Sequence, residues 1–270
     1  MEPVLANLDD HLPPITALER VKQRPDRFWT HLHRWAISSV ADGDGEFDDR
    51  YVKIDFQRAL TAPPGAREVV LVRHGSCDPP AADGLIDGRS DPGLNERGRA
   101  EAAAAGVRLG GEAVAAIHIS PMARTTETAA PIVAALGTPP TLDADLAEIY
   151  LGEWEGHGIA SRGADGDPEL ARVFAEQRWD LIPGSEDAAA FAERVRRAVE
   201  AAADAGRDGE LVVVVTHSAV IAEFLRQITG AEAFAFLHNT NGSLSRAIRM
   251  PDGRWILSAF NDTSHVHAPN

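Results

Sequence analysis

Two histidines stand at the ends of two β-branched runs. In EVVLVRHG, residues 68–75, the run stops at Arg73-His74-Gly75; in LVVVVTHS, residues 211–218, it stops at Thr216-His217-Ser218. A neutral imidazole is a nucleophile or a proton carrier, and a guanidinium fork beside it bonds phosphate or carboxylate oxygens in pairs. One strand-end histidine alone reads as a hydrogen-bonded structural residue. Two at matching positions, one beside an arginine, read as a site. Arg124 adds a second guanidinium, on the first helical turn after HISP (118–121). Glu148, in LAEIYLGEWEGHG (146–158), adds a carboxyl ahead of a glycine-punctuated aromatic loop.

These residues need elements to position them. From residue 67 the chain alternates strand-like and helix-like stretches: EVVLVRH, LNERGRAEAAAAGVRL, AAIHIS, ARTTETAAPIVAAL, SEDAAAFAERVRRAVEAAADA with Ser185 as a candidate N-cap, LVVVVTH, and AVIAEFLRQITG closing on Gly230. Phe191, Val195 and Val199 recur at helical spacing in the long stretch. SLSRAIRM and RWILSAF flank a PDG turn and predict a hairpin. The alternation predicts an α/β fold: a three-layer α/β/α sandwich with a mostly parallel central sheet and a C-terminal antiparallel hairpin. Ligands of open α/β sheets bind beyond the carboxyl ends of the strands, where both histidines fall. If the two strands are neighbours, both imidazoles open into one crevice. The helix after His217 then aims its N-terminal N–H groups there.

Residues 1–66 read differently. Pro14 and Pro25 punctuate two short helical stretches, Asp26 is a candidate cap, and Phe28, Trp29, Leu32, Trp35 and Ala36 share one helical stripe. YVKIDF alternates like a strand, and TAPPGARE reads as a linker. The expectation is an N-terminal helical extension over 1–66, used for packing, oligomer contact or as a lid, and a main domain over 67–270. A homodimer formed through the extension is one reading of its aromatic stripe.

The 270 residues carry a formal net charge of −15, which excludes a nonspecific nucleic-acid binder and disfavours docking on anionic membrane. An acidic protein binds an anion only by gathering its positive groups into one pocket. One cysteine, Cys77, leaves no intramolecular disulfide framework. MEPVLANLDDHLPP has acids where a signal peptide has bases, and the longest apolar runs are of strand length, so a soluble cytoplasmic protein is expected.

The ordered set of RHG, DGRSDPGLNERGRAEA, SP-x-x-R, L-x-E followed by GEWEG, and a late strand ending in histidine resembles the histidine phosphatase superfamily. The branch is the one shared with cofactor-dependent phosphoglycerate mutases. The resemblance runs from about residue 67 to NDTSHV at 261–266. It implies that His74 is the nucleophile that becomes phosphorylated, that Arg73, Arg124 and His217 hold the phosphoryl oxygens, and that Glu148 donates a proton to the leaving group. It places Arg89 and Ser218 among the substrate-binding residues, and gives residues 157–184 as the variable segment over the substrate. The implied ligand is a small phosphorylated metabolite, with no cofactor and no metal. Phosphoryl transfer fits these residue types, since it asks mainly for positioning and for positive charge around the equatorial oxygens. Several positions depart from the pattern. Ser76 and Cys77 stand where the family has an acid and then Ser or Thr, Pro80 where it has asparagine, and Ser218 where it has glycine. Gly184-Ser185-Glu186 stands where the family reads Gly-Glu-Ser. The changes at 76–80 weaken a mutase reading.

Other chemistries lack their residues. A cysteine phosphatase needs arginine six residues past Cys77, where Asp83 stands; DADLA at 143–147 does not fit an aspartyl phosphatase; no P-loop occurs. The pairs His31/His33 and His265/His267 have the wrong spacing for a helical metal site. The expectation is a phosphomonoester hydrolase acting through phosphohistidine. The alternatives are a mutase-type phosphotransferase and a non-catalytic phosphate-binding scaffold.

Overall fold

A computed structural model describes residues 63–78, 88–156, 162–163, 165–207 and 210–266. The aromatic stripe of the extension, the His31/His33 pair, His267 and much of 157–164 lie outside the described residues.

The chain runs β1 (Arg67–Arg73), α1 (Glu96–Leu109), β2 (Val114–Ile119), α2 (Ala123–Leu136), β3 (Pro140–Leu142), α3 (Pro168–Glu176), α4 (Ala188–Asp204), β4 (Leu211–Thr216), α5 (Ser218–Thr229), β5 (Leu244–Arg249) and β6 (Trp255–Asp262). The sheet order is β3-β2-β4-β1-β5-β6. The β3/β2, β2/β4 and β4/β1 pairs are parallel, and β1/β5 and β5/β6 antiparallel. The mostly parallel sheet with an antiparallel C-terminal hairpin is as the sequence predicts. β1 and β4 are direct neighbours in register, Arg73 opposite Thr216, so the two strand-end histidines follow side by side.

All six residues of β4 are buried, because both sheet faces are covered. Alternation then decides which face each side chain serves. Val69, Leu71, Val212 and Val214 join Phe191, Val195 and Val199 of α4 and Ile221 and Phe224 of α5 in one cluster. Val70, Val72, Val213 and Val215 join Ala105 and Leu109 of α1 and Ile132 of α2 in the other. The helix starts follow local capping chemistry. Asn95 Oδ1 accepts from Gly98 N at 2.8 Å to begin α1. The long helix α4 starts later than the sequence suggested. Asp187, not Ser185, caps it by accepting from Ala190 N, while the Ser185 hydroxyl donates to Trp179 O at 3.0 Å. α2 continues through Pro131, whose carbonyl lies against Gly106 of α1.

One contact sets the geometry after β1. The first turn of α1 lies directly on the turn at residues 74–76, with Asn95 N donating to Ser76 O at 3.0 Å. A Cβ at Gly98 would fall 1.9 Å from Ser76 O, and one at Gly75 2.5 Å from Gly98 O. Backbone meets backbone here, so neither position has room for a side chain. Gly98→Ala is expected to lower stability by about 1–3 kcal/mol through forced displacement of the turn. Urea unfolding checks this, and unchanged stability would show that the approach is not tight.

Candidate active site

His74 follows β1 directly, its backbone N–H donating to Thr216 O at 3.0 Å. Its Nδ1 lies 2.8 Å from Gly75 O. A carbonyl only accepts, so Nδ1 carries the ring proton and Nε2 keeps its lone pair. His217 is the N-cap residue of α5, and the two imidazole centroids are 5.3 Å apart with planes tilted by 58°. The two strand-end imidazoles thus stand side by side, as neighbouring strands require. His217 Nε2 meets the Ser120 hydroxyl at 2.8 Å.

Two guanidinium groups flank the histidines. Arg124 is 1% exposed, its Nη2 donating to Gly88 O at 3.0 Å and its Nη1 to Ser90 O. Arg73, at the end of β1, donates from Nη1 to Asn239 O. Two guanidinium donors, Arg73 Nε and Arg124 Nε, have no acceptor among the described residues, and neither has His217 Nδ1 a partner. Buried N–H groups left unpaired are costly, and an oxyanion placed among these groups would pair them.

Burial, with the charges of Arg124 and Arg73, holds His74 well below the ordinary imidazole range. Burial also holds His217 well below that range, with Arg124 as the next cause. Both rings are thus neutral near pH 7. Glu148 behaves oppositely. The residue is only partly buried as a whole, but its carboxyl is desolvated, which raises its pKa. N–H bonds from Ile149 (3.0 Å) and Ala219 (3.3 Å), with Arg124 and Arg73, pull part of the way back. The Ala219 bond belongs to the first turn of α5, so the helix N-terminus faces this carboxylate.

The remaining candidates sit nearby with their groups engaged. Arg89 is about half exposed, donating from Nε to Glu148 O at 3.2 Å and lying 5.8 Å from the Tyr150 ring centroid. The Ser218 hydroxyl donates to Leu237 O at 2.7 Å. Burial pushes the Cys77 thiol up to about 11, so it stays protonated near neutral pH.

Several supporting residues have no local sequence signal. Glu101, 2% exposed on α1, accepts from Ser76 N at 2.7 Å and from the Ser76 hydroxyl. Thr128 Oγ1 accepts from Gly75 N at 2.9 Å, and Asn241 Nδ2 donates to His74 O at 3.0 Å. Gly242 N also donates to the Arg73 carbonyl, at 3.1 Å. These bonds clamp the turn at 73–76 from three separate loops and helices. Among the described residues no group of three or more His, Cys, Asp or Glu is placed to hold a metal ion. No described helix is long and apolar enough to cross a membrane.

The buried histidines make stability depend on pH. Their folded pKa values lie below the unfolded one, so between the two the unfolded chain binds more protons and stability rises with pH. This contribution is complete above about pH 6.5 and is lost as pH falls through the folded values. Unfolding free energy of the ligand-free protein is expected to fall from pH 7 to pH 5, with a shallower slope in His217→Asn. An unchanged slope in that variant would contradict the burial of a neutral ring.

Comparison with known proteins agrees with this geometry. The profile described as "Histidine phosphatase superfamily (branch 1)" matches residues 69–263. A protein named metal-independent phosphoserine phosphatase, from Arabidopsis thaliana, is 34% identical over 203 residues, covering 74% of this chain and 83% of that one. A protein of Mycobacterium tuberculosis named bifunctional is 34% identical over 242 residues, covering 86% of this chain; the chain spans 64% of its length. A mycobacterial glucosyl-3-phosphoglycerate phosphatase structure superposes with a TM-score of 0.62 at 27% identity, over 73% of this chain and 100% of that one. The phosphoglycerate mutase structure from Bacillus anthracis shares the fold, with a TM-score of 0.64 at 21% identity over 74% of this chain and 95% of that one. The chain belongs to the histidine phosphatase superfamily, branch 1.

Proposed function

We propose that this chain is a phosphomonoester hydrolase that works through a covalent phosphohistidine on His74, with Glu148 as general acid. The observation that carries the reading is the His74 ring. Its Nδ1 is bonded to Gly75 O, its Nε2 lone pair is free to attack, and Arg73 and Arg124, whose charges act on it, keep unpaired Nε–H groups beside the His217 ring. Those donors match the oxygens of a phosphoryl group.

In the first step Nε2 attacks phosphorus and the bond to the ester oxygen breaks. Glu148, its pKa raised, gives that oxygen its proton and becomes a carboxylate. The positive ring keeps its Nδ1 proton on Gly75 O. In the second step water attacks phosphorus, Glu148 takes the water proton, the P–N bond breaks and the lone pair returns to Nε2. One hard displacement becomes two easier ones.

Two of the similar proteins are named as phosphatases, of phosphoserine and of glucosyl-3-phosphoglycerate, which supports hydrolysis over transfer. The substrate class is a small phosphorylated metabolite. A mutase would use the same five side chains and would have to retain a bisphosphate. Hydrolysis is therefore expected without added bisphosphate, and a strict requirement for it would favour the mutase.

His74→Ala is expected to cut turnover to less than about one-thousandth while unfolding cooperatively like the parent. Turnover near the parent rate would refute the nucleophile. Glu148→Gln is expected to lower kcat/KM, which reports the leaving-group step, by about 100- to 1,000-fold on alkyl phosphates and less than about tenfold on 2,4-dinitrophenyl phosphate, whose leaving group needs no proton. Equal losses on both would remove Glu148 as the acid.

A further inference from the structure

Glu148 lies on irregular chain, between one-turn 3₁₀ segments at Ala144–Leu146 and Gly152–Trp154. Such a stretch has no ladder to hold it, so its backbone groups need other partners. Three of its carbonyls converge on one side chain, and one of them, Glu148 O, also accepts from Arg89 Nε at 3.2 Å. Arg194 of α4, 8% exposed, donates from Nη1 to Asp145 O (2.7 Å) and Ala147 O (2.6 Å), and from Nη2 to Glu148 O (3.1 Å). Its other two N–H groups go to Glu186, Nε to Oε1 at 2.6 Å and Nη2 to Oε2 at 2.8 Å. All five guanidinium donors are thereby used. Leu146 O, between these carbonyls, accepts from Thr216 Oγ1 at 2.8 Å.

Glu186 grips the same segment from its other end. Its N–H donates to Tyr150 O at 2.9 Å, and its Oε2 accepts from Tyr150 N at 3.3 Å. Residues 145–150 are thus held by a bidentate Arg194–Glu186 pair. This accounts for Gly184-Ser185-Glu186 in chemical terms: Glu186 supplies the carboxylate that aligns Arg194, while Ser185 bonds Trp179 O.

We propose that Arg194, aligned by Glu186, is the positioning residue for Glu148, fixing its backbone so that the carboxyl reaches the leaving oxygen; this rests on the reading of Glu148 as the acid. A lysine cannot substitute, since its ammonium has three donors and no planar fork. A misplacement of about 1 Å in such a group costs about 100-fold in rate.

The test uses Arg194→Lys and Glu186→Gln in the full chain, with Glu148→Gln in parallel. The probes are glycerol 3-phosphate and 2,4-dinitrophenyl phosphate. Arg194→Lys is expected to lower kcat/KM on the alkyl ester about 10- to 100-fold, with kcat/KM on the aryl ester within about threefold. Added to Glu148→Gln, it is expected to cost nothing more on the alkyl ester, because no acid is left to position. Should Arg194→Lys fail to fold, Glu186→Gln carries the same comparison. Parent-like alkyl turnover, or equal loss on both esters, would overturn the brace. If Glu148→Gln itself loses equally on both esters, the acid assignment fails and the brace falls with it. If Glu148→Gln is selective and the brace variants are not, only the brace fails.

Discussion

Positive charge buried around an uncharged imidazole is the constraint on which the structure turns. Arg124 is removed from water, Arg73 partly so, and desolvation lowers the pKa of each guanidinium. Carbonyls of Gly88 and Ser90 bond the two terminal nitrogens of Arg124, and that of Asn239 bonds Nη1 of Arg73, but both Nε donors stay unpaired. An oxyanion among these groups would pair those donors. Burial first, and the same charges after it, keep the His74 ring neutral. On a chain with a net charge of −15, affinity for an anion therefore depends on local concentration of cations rather than on overall charge.

The fold brings these groups together in a specific way. Parallel pairing of β1 with β4 brings two strand ends together, and the alternation within each strand commits every other valine to one of two apolar layers. The turn that bears His74 is pinned by α1 through Gly75 and Gly98, by Glu101, by Thr128 and by the loop at 241–242. Glu148 lies on a segment between one-turn 3₁₀ pieces, with no strand or long helix of its own. Rigid strand ends position the two histidines, and side-chain bonds from Arg194 and Glu186 hold residues 145–150.

What was legible in the sequence follows from this division. The central strands show as continuous β-branched runs because both sheet faces are covered, the long helices show by their spacing, and the histidines show because each ends such a run. β3 was not visible: it is three exposed residues, beginning with proline, paired to only one neighbour. The start of α4 was misplaced because Ser185 and Asp187 are both good caps, and only the long-range bond to Trp179 decides between them. Arg73, His74, Arg124, Glu148 and His217 stand out in the sequence by strand-end position and ordered motifs, and the fold gathers them. Their partners were not. Ser120 is 97 residues from His217, Asn241 is 167 from His74, and Arg194 is 46 from Glu148. Arginine and glutamate at helical spacing look like surface charge until burial shows otherwise.

The most direct measurement is chemical trapping during turnover. The protein is mixed with a rapidly hydrolysed phosphoester, quenched in alkali within milliseconds, digested and examined by mass spectrometry. The account requires phosphate on the peptide holding His74, bound through ring nitrogen, stable to alkali and released by acid. Turnover that proceeds with no phosphate on that peptide, or with phosphate on another side chain, would contradict it.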